Sequence, residues 1–540
     1  MSDMIFNLPC ASASRAPDAE ALKVGIRSCT YGTFAGQIDG FGRGLVANSL
    51  GRLERVAVYA DKSIEAVAAL FGAAQAGGVF VPVNPLLKPN QVAYVLRDCN
   101  VVALVTTAVR LRSLRHVLAD SPDLRLVVLL DATETDVELD NARPLRIVGF
   151  DALVDCTDRS AVHRTIDADM AAILYTSGST GSPKGVVLSH RNLVAGARSV
   201  ASYLENHSGD RILAVLPLSF DYGLSQVTTG FLAGASVVLH NHLLPADTVR
   251  VLAAERITGL AAVPPLWMQL TAFEWPASID GHLRYFTNSG GVLPPHTLQQ
   301  LRQRVPSARP FLMYGLTEAF RSTYLPPEEI ERRPTSIGKA IPNAEVLVVR
   351  EDGSECAPDE PGELVHRGAL VSMGYWNDQA RTAERFRPAP CQLPGLTLPE
   401  QAVWSGDTVR RDAEGFLYFV GRRDEMIKTS GYRVSPTEVE EAVFRTGLVS
   451  EAVAFGLPHP TLGEAIALVA LSRTAGFADT QALLAACREF LPGFMLPLHV
   501  EWASESLQRN ANGKIDRKYL ADQRRELFTS PIGQEQKADH

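Results

Sequence analysis

From the N-terminal region to about residue 420, short β-branched runs alternate with alanine-rich stretches of helical period. That alternation restricts the chain to an α/β fold built on largely parallel sheets. SIEAVAALFGAAQAGG (63–78) reads as a helix closed by a glycine pair, and the strand-like VFVPVNP follows it. ALVTT, LRLVVLLD, RILAVLPL, ASVVLHN and TGLAAVPP continue the pattern. From about 335 to 420 the pattern changes. AEVLVVREDGSECAPDEPGELVHRG and GFLYFVGRRDEM read as strands joined by D-G, P-G and E-G turns, a small antiparallel, barrel-like unit. After Arg422-Arg423-Asp424 comes a compact α+β segment with helices in SPTEVEEAVFRTG and TQALLAACREFL and strands in VSEAVAFGLP and AIALVALS. The expected division is a large domain over 1–423, a small mobile domain over 424–525, and a polar, disordered tail over 526–540.

A chain of 540 residues can bury a large core in at least two domains. Its net charge is −8 with no basic block, which speaks against nucleic acid as a partner. No apolar run reaches the roughly 20 residues of a membrane helix, and the N-terminus lacks the basic-then-apolar order of a secretory signal. Seven dispersed cysteines without a C-x-x-C pair fit reduced thiols better than disulfides or zinc, so a cytoplasmic location is expected.

Directly behind Ala171-Ala172-Ile173-Leu174 stands YTSGSTGSPKG (175–185). A glycine-rich loop after a strand can turn its amide N–H groups toward one anion. Here Ser177, Ser179 and Thr180 add hydroxyl donors and Lys184 a mobile cation. The Walker A spacing fails, because counting from Gly178 places Pro183 where the second glycine belongs and Gly185 where Ser or Thr belongs. A flexible linker would explain the glycines and serines but not the strand before them or Val186-Val187-Leu188 after them. Ser189 then reads as an N-cap, with Leu193, Val194, Ala197, Val200, Ala201 and Leu204 at helical spacing.

Four further stretches stand out: MYGLTEA (313–319), WSGDTV (404–409), GRRDEMIKTSGYRVSPTEVE (421–440) and NANGKIDRK (510–518). Each alone has a plain structural reading as a core aromatic, a turn or a solvated charge run. Together, in this order, they resemble the AMP-forming adenylating superfamily of acyl-CoA synthetases, nonribosomal peptide synthetase adenylation domains and luciferases. The resemblance runs to about residue 520. It implies that Thr176, Ser177, Gly178, Ser179, Thr180, Gly181 and Lys184 hold the β- and γ-phosphates of ATP. It further implies that Tyr314, beside Gly315, stacks on adenine, that Thr317 meets the α-phosphate, and that Glu318 holds Mg²⁺, a hard cation suited to carboxylate and phosphate oxygens. Asp407 would accept from the ribose hydroxyls with Arg422 beside it, and Ser289, Gly290 and Gly291 would line the adenine and acyl pocket.

Lys514 matches the family's catalytic lysine. A carboxylate attacking a phosphate brings two anions together, and a cation must bridge them as charge builds. In the second half-reaction a phosphopantetheine thiol attacks the acyl-adenylate. The family swaps the two steps by turning its small domain, which puts Asp424 at the hinge and Gly431, Tyr432 and Arg433 on the thiolation face.

The stretch LPLSFDYGL (216–224) bears on the acid. Many acyl-CoA synthetases carry a histidine and an apolar residue where this chain has Phe220-Asp221. In amino-acid-activating domains a Phe-Asp here sets the carboxylate against the substrate ammonium. The plainer alternative is that Asp221 caps a turn or pairs with Arg321. Tyr222, Ser225, Thr287, Ser289, Met313, Arg321 and Ser322 complete a polar candidate pocket, unlike the apolar tunnel a long acyl chain wants. Against this, YGLTEAFRSTYLPP, SIGKAIPNAEVLV and GELVHRGALVSMGYW look most like bacterial acyl-CoA ligases, among them ones associated with exosortase gene clusters.

No carrier-protein G-G-x-S motif follows residue 520, so a free-standing ligase is expected, with coenzyme A or a carrier protein supplied in trans. A non-catalytic binding protein of the same fold is disfavoured by the presence of Lys184, Glu318, Asp407 and Lys514 together. A nicotinamide oxidoreductase is disfavoured by the lack of an early G-x-G-x-x-G.

Overall fold

The structure is a computed structural model that describes residues 4–131, 145–156, 161–176, 183–390, 395–422, 425–429, 432–460, 462–474, 476, 478–510 and 513–529. By internal contacts the chain divides into one unit of residues 1–334, 338–346 and 366–403 and another of 335–337, 347–365 and 404–540.

The first unit is built on two sheets. One runs Arg146–Gly149, Leu126–Leu129, Val101–Thr106, Arg55–Tyr59, Val79–Pro82, Met170–Thr176, Lys184–Ser189, parallel except for the last pair. The other includes, in order, Thr323–Leu325, Arg309–Tyr314, Tyr285–Asn288, Gly259–Ala262, Arg211–Ala214, Ser236–Leu239, Glu20–Val24 and Arg27–Thr30. It is parallel from Arg309–Tyr314 through Glu20–Val24.

Helices explain why the two sheets form together. Ile64–Gln75 buries every residue except Glu65 and Gln75, so it has no face fit for water and must be covered on all sides. Tyr31–Ala47, His190–Leu204 and Asp221–Ala233 share one apolar cluster with it and with strands of both sheets, including Val56, Leu174, Ala214 and Val237. Phe34, Phe71 and Phe231 meet at its centre with ring centroids 5.1 to 6.4 Å apart. Local signals set the helix starts: Ser63 and Ser189 both cap through their side chains, accepting from Ala66 N and Asn192 N.

A further set of strands orders as Ala344–Val349, Gly362–Gly368, Gln401–Arg411, Leu417–Arg422 and Ser336–Ala340, of which residues 336–337, 347–349, 362–365, 404–411 and 417–422 fall in the second unit. Tight turns at Gly353 and Gly415 adopt φ of +84° and +88°, which glycine alone takes without strain. Beyond them lies a five-stranded sheet in which the long antiparallel pair Val449–His459 and Gly463–Ser472 is flanked by Ile427–Thr429, Tyr432–Val434 and His499–Ala503. Helices Pro436–Arg445 and Thr480–Cys487 cover it through Val439, Val443, Leu483 and Cys487.

One glycine fixes how closely the helix Asp221–Ala233 sits on the loop before it. A Cβ at Gly223 would lie 2.0 Å from the carbonyl oxygen of Pro217 and 3.0 Å from that of Leu216. Gly223→Ala is expected to push the start of this helix away from its loop and to lower unfolding free energy by about 1–3 kcal/mol, the usual scale of overpacking, as read from urea denaturation.

Candidate active site

The topology of the second sheet marks a place for a ligand. From Arg211–Ala214 the chain goes to Ser236–Leu239 on one side, then returns to Gly259–Ala262 on the other. The strand order therefore reverses at Arg211–Ala214, and open α/β sheets bind ligands in the crevice at the carboxyl ends where this happens. The loop leaving that strand carries Phe220 and Asp221. The neighbouring carboxyl ends lead to Val263-Pro264, to Ser289-Gly290-Gly291, and to the Gly315–Ser322 loop. Gly290 has φ +80°, and a Cβ at Gly291 would come within 3.3 Å of Pro264, so bare backbone lines this edge.

In the first sheet Met170–Thr176 and Lys184–Ser189 form an antiparallel hairpin with Thr176 opposite Lys184. Ser177, Gly178, Ser179, Thr180 and Gly181 lie outside the described residues. The base of the hairpin is held by three aromatic side chains. Tyr94 donates to the Pro183 carbonyl (3.1 Å), Tyr175 to Asp98 (2.5 Å), and Trp376 Nε1 to the Asp98 carbonyl (3.0 Å). Lys184 Nζ lies 5.1 Å from the centroid of the Tyr375 ring, and the Tyr375 hydroxyl donates to Glu318 Oε1 at 2.6 Å. Burial lowers the Lys184 pKa, and the Glu318 carboxylate acts against that shift.

Residues 372–376 join these two parts as a backbone strip. Ser372 N donates to the Glu318 carbonyl, Met373 N to Val187, and Trp376 N to Gly185, while Val187 N donates to Gly374. Tyr375 was missed in the sequence, where it stood only inside the string GELVHRGALVSMGYW. A tyrosine flanked by glycine and tryptophan near two motifs was the available signal.

The Gly315–Ser322 loop connects Arg309–Tyr314 to Thr323–Leu325, antiparallel with Tyr314 opposite Thr323. It closes tightly at its neck: Ser322 N donates to the Tyr314 carbonyl, and a Cβ at Gly315 would stand 3.1 Å from Arg321 Cα. Thr317 is buried at its tip. The Tyr314 ring lies near-parallel to that of His366, with centroids 6.2 Å apart. His366 is fully enclosed, and neither ring nitrogen has a hydrogen-bond partner.

The structure brings several of the proposed acid-pocket residues together. Tyr222 and Thr287 hydroxyls bond at 2.5 Å, and Met313 Sδ accepts from Tyr203 at 2.9 Å. Arg321 Cζ sits 4.4 Å from the centroid of the Tyr222 ring, and Phe220 stands edge-on to Tyr222 at 6.1 Å. Ser225 follows Asp221 by one helical turn, on the same face. Asp221 is 5% exposed. Among the described residues its side chain makes no hydrogen bond, and no ion pair joins it to Arg321. Neither structural explanation of Asp221 raised by its sequence position is found among the described residues. Ser322 turns its hydroxyl to the Ala319 carbonyl and serves the loop.

In the second unit Asp407 and Arg422 are cross-strand partners, with Arg422 Nε 3.2 Å from Asp407 Oδ1. Gly406, at φ +70°, donates its N–H to Glu363 and lets the strand turn before Asp407. Lys514 is exposed on a turn closed by two hydrogen bonds, Asn510 N to the Lys514 carbonyl and Lys514 N to Asn510 Oδ1, with Gly513 at φ +78°. Arg517, just after it, pairs with Glu440 at 2.8 Å and with Glu425, which anchors this turn to the helix Pro436–Arg445 and to the strand entry. Burial raises the Glu440 pKa while Arg517 pulls it back. Asp424 and Gly431 lie outside the described residues; Tyr432 and Arg433 belong to the strand Tyr432–Val434.

Sequence comparison shows the family. Residues 11–376 match the AMP-binding enzyme family and residues 438–514 match the AMP-binding enzyme C-terminal domain. The chain belongs to that family, the ATP-dependent, AMP-forming acid–thiol ligases of acyl-CoA synthetase type. A long-chain-fatty-acid–CoA ligase of Bacillus subtilis is 27% identical over 537 residues, covering 95% of this chain and 93% of that protein. A linear gramicidin synthase protein of Brevibacillus parabrevis is also 27% identical, over 94% of this chain, but the chain spans only 9% of that much longer protein. Among solved structures, the o-succinylbenzoate coenzyme A synthetase of Bacillus subtilis with ATP and a magnesium ion has a TM-score of 0.78 at 24% identity, over 95% of this chain and 99% of that one. The fold is accordingly that of the family, a large N-terminal and a small C-terminal domain. Among the described residues no helix is long and apolar enough to cross a membrane.

The buried histidines make stability acid-sensitive. Burial pushes His366 down to about 3 and His190 down to about 4. Their folded values lie below the unfolded one of about 6.5, so the unfolded chain takes up more protons on acidification. Stability present above about pH 6.5 is therefore lost as pH falls toward these folded values. His366→Phe should flatten unfolding free energy against pH between about 6.5 and 3 by up to about 1.4 kcal/mol per pH unit. Urea titrations at a series of pH values check this.

Proposed function

We propose that this protein adenylates an amino acid or another small polar acid, releasing pyrophosphate, and passes the acyl group to the phosphopantetheine thiol of a carrier protein or of coenzyme A. The observation that carries the choice of acid is Asp221. A carboxylate 5% exposed at the crevice, with no partner among the described residues, is costly unless something supplies a cation, and a substrate ammonium does so. The polar wall of Tyr222, Ser225, Thr287 and Arg321 agrees with such a substrate.

In this reading Thr176 and Lys184, opposite one another across the hairpin, hold the phosphates together with the residues Ser177 to Gly181. Lys184, partly desolvated, presents its charge where water screens it least. Tyr314 positions adenine, and Asp407 accepts from the ribose hydroxyls with Arg422 paired beside it. Thr317 donates to the α-phosphate. The carboxylate of the acid attacks that phosphorus, and Lys514 bridges the two anions while pyrophosphate leaves. Asp424 then serves as the hinge of a mobile domain from residue 424 on, presenting Gly431, Tyr432 and Arg433 for the thiol step.

Magnesium fits the donor set. Among the described residues no three acidic, histidine or cysteine side chains gather as a protein cage. Glu318 offers one carboxylate oriented by Tyr375, which suits an ion that keeps its waters and bonds mainly to phosphate. When bound, the ion neutralises charge on the β- and γ-phosphates. Tyr375 is a positioning residue for that carboxylate.

A second reading is an acyl-CoA ligase for a fatty or other simple acid. The near full-length match to a long-chain ligase and the likeness of YGLTEAFRSTYLPP to exosortase-associated ligases favour it.

Substrate-dependent ATP–pyrophosphate exchange over amino acids, fatty acids and aryl acids separates the two. Exchange with an amino acid, lost roughly 10²-fold in Asp221→Ala, is the expected result. Exchange only with simple acyl acids, untouched by Asp221→Ala, would establish the second reading. Lys514→Ala should lose roughly 10²-fold or more in either case. Tyr375→Phe, with the fold intact by circular dichroism, should raise the magnesium concentration for half-maximal exchange about 10-fold with little change in KM for the acid.

A further inference from the structure

We infer that the acid activated here carries a second anionic group, and that Arg321 is the residue that holds it. The inference rests on the adenylation reading above and narrows its substrate. Arg321 is 3% exposed, and its Nε and Nη2 are buried with no hydrogen-bond partner. Among the described residues no ion pair reaches the guanidinium; it lies against the ring of Tyr222, 4.4 Å away.

Arginine does not shed its proton, so this is a full cation withdrawn from water without a counter-charge. A tyrosine ring face offsets only a small part of that deficit. Asp221 is the nearby candidate by sequence, one residue before Tyr222, yet it leaves its own charge unpaired instead of meeting Arg321. The backbone adds to the cost. Arg321 takes φ +76°, a region that long side chains avoid and glycine enters freely, and the chain places a cation there all the same.

Two opposite charges stand on either side of Tyr222: Asp221, next to it in the chain and without a partner among the described residues, and Arg321, against its ring with Nε and Nη2 buried and unsatisfied. A ligand with the complementary pattern satisfies both. Asp221 takes an ammonium. The guanidinium presents a planar fork of N–H donors that matches the two oxygens of a carboxylate. The reacting carboxylate must face Thr317 and the phosphates, so the group at Arg321 is a second one, at the far end of the molecule. An amino dicarboxylic acid has all three features. A neutral side chain would leave the guanidinium buried and unpaired in the complex, and a site built around a charged partner rejects an analogue that lacks it.

The test is ATP–pyrophosphate exchange by the full chain with L-aspartate, L-glutamate and L-2-aminoadipate, the amides asparagine and glutamine, norleucine, the amine-free diacids succinate and glutarate, and decanoate. An acidic amino acid is expected to have the highest kcat/KM. Arg321→Met should lower that value about 10²-fold, mainly through KM, and raise kcat/KM for the matching amide, while Arg321→Lys recovers part of the loss. The reversal of preference is what a merely structural arginine would not produce. If Arg321→Met fails to fold, the wild-type panel and Arg321→Lys still decide.

Preference for a diacid without an amine, dependent on Arg321, would uphold Arg321 and remove the ammonium anchor. Preference for a neutral amino acid would overturn the inference and leave the amino-acid reading standing. Exchange with decanoate alone would overturn both. Equal use of an acidic substrate by wild type and Arg321→Met, or no exchange with any acidic compound, would also overturn it.

Discussion

The burial of helices between two sheets is the constraint on which the rest depends. Ile64–Gln75 has almost no polar residue to show to water, and Asp221–Ala233 is apolar or enclosed along nearly its whole length. Neither can be stable beside one sheet alone. Each must be covered from both sides, so the two sheets of the first unit are obliged to fold around a common apolar layer. Burying each large side chain there contributes about 1.5–3 kcal/mol, and the strand ends inherit the rigidity of that layer. Rigid strand ends are what a polar site needs, since loops carry the chemistry and cannot fix their own positions.

Much of this is legible in the sequence, for a physical reason. The elements that end in caps or alternate in hydrophobicity are specified locally: Ser63 and Ser189 announce their helices, and the runs at 101–106, 126–129 and 236–239 announce buried strands. The motif residues are legible because phosphate, ribose and adenine demand particular donors. Glu20–Thr30 is another matter. Its hairpin adds to the second sheet beside Ser236–Leu239, a pairing across more than 200 residues that no local pattern encodes. Tyr375 and His366 belong to the same class. Their importance lies in what stands next to them, Glu318 and Tyr314, and adjacency of that kind is a product of folding. Asp221 was visible as an unusual residue, but that it has no partner among the described residues is a fact only the folded chain could supply.

The buried polar groups divide into two sorts. Asp210 is enclosed and satisfied, with Arg284, Thr258 and Asn206 around it, and these hold its carboxyl below the usual range against burial. It is structural, tying strand ends far from the crevice. Arg321 and His366 are enclosed and unsatisfied, and Asp221, 5% exposed, has no partner among the described residues. Native interiors rarely leave such groups unpaired. Asp221 and Arg321 follow strands that end at the crevice and His366 stands beside Tyr314, which separates the part of the interior made for stability from the part made for a ligand.

The strip of residues 372–376 has a consequence for how this site can vary. Tyr375 reaches Lys184 and Glu318 while Trp376, the next residue, reaches Asp98 and Arg55. Gly374, at φ +111°, sets the course of the backbone just before them. Removing a single residue ahead of them would draw both aromatics off their partners at one stroke, stripping the carboxylate of its tyrosine and the hairpin of its tryptophan together. Length at this point is as exacting as residue type: the segment can change its letters more safely than its count.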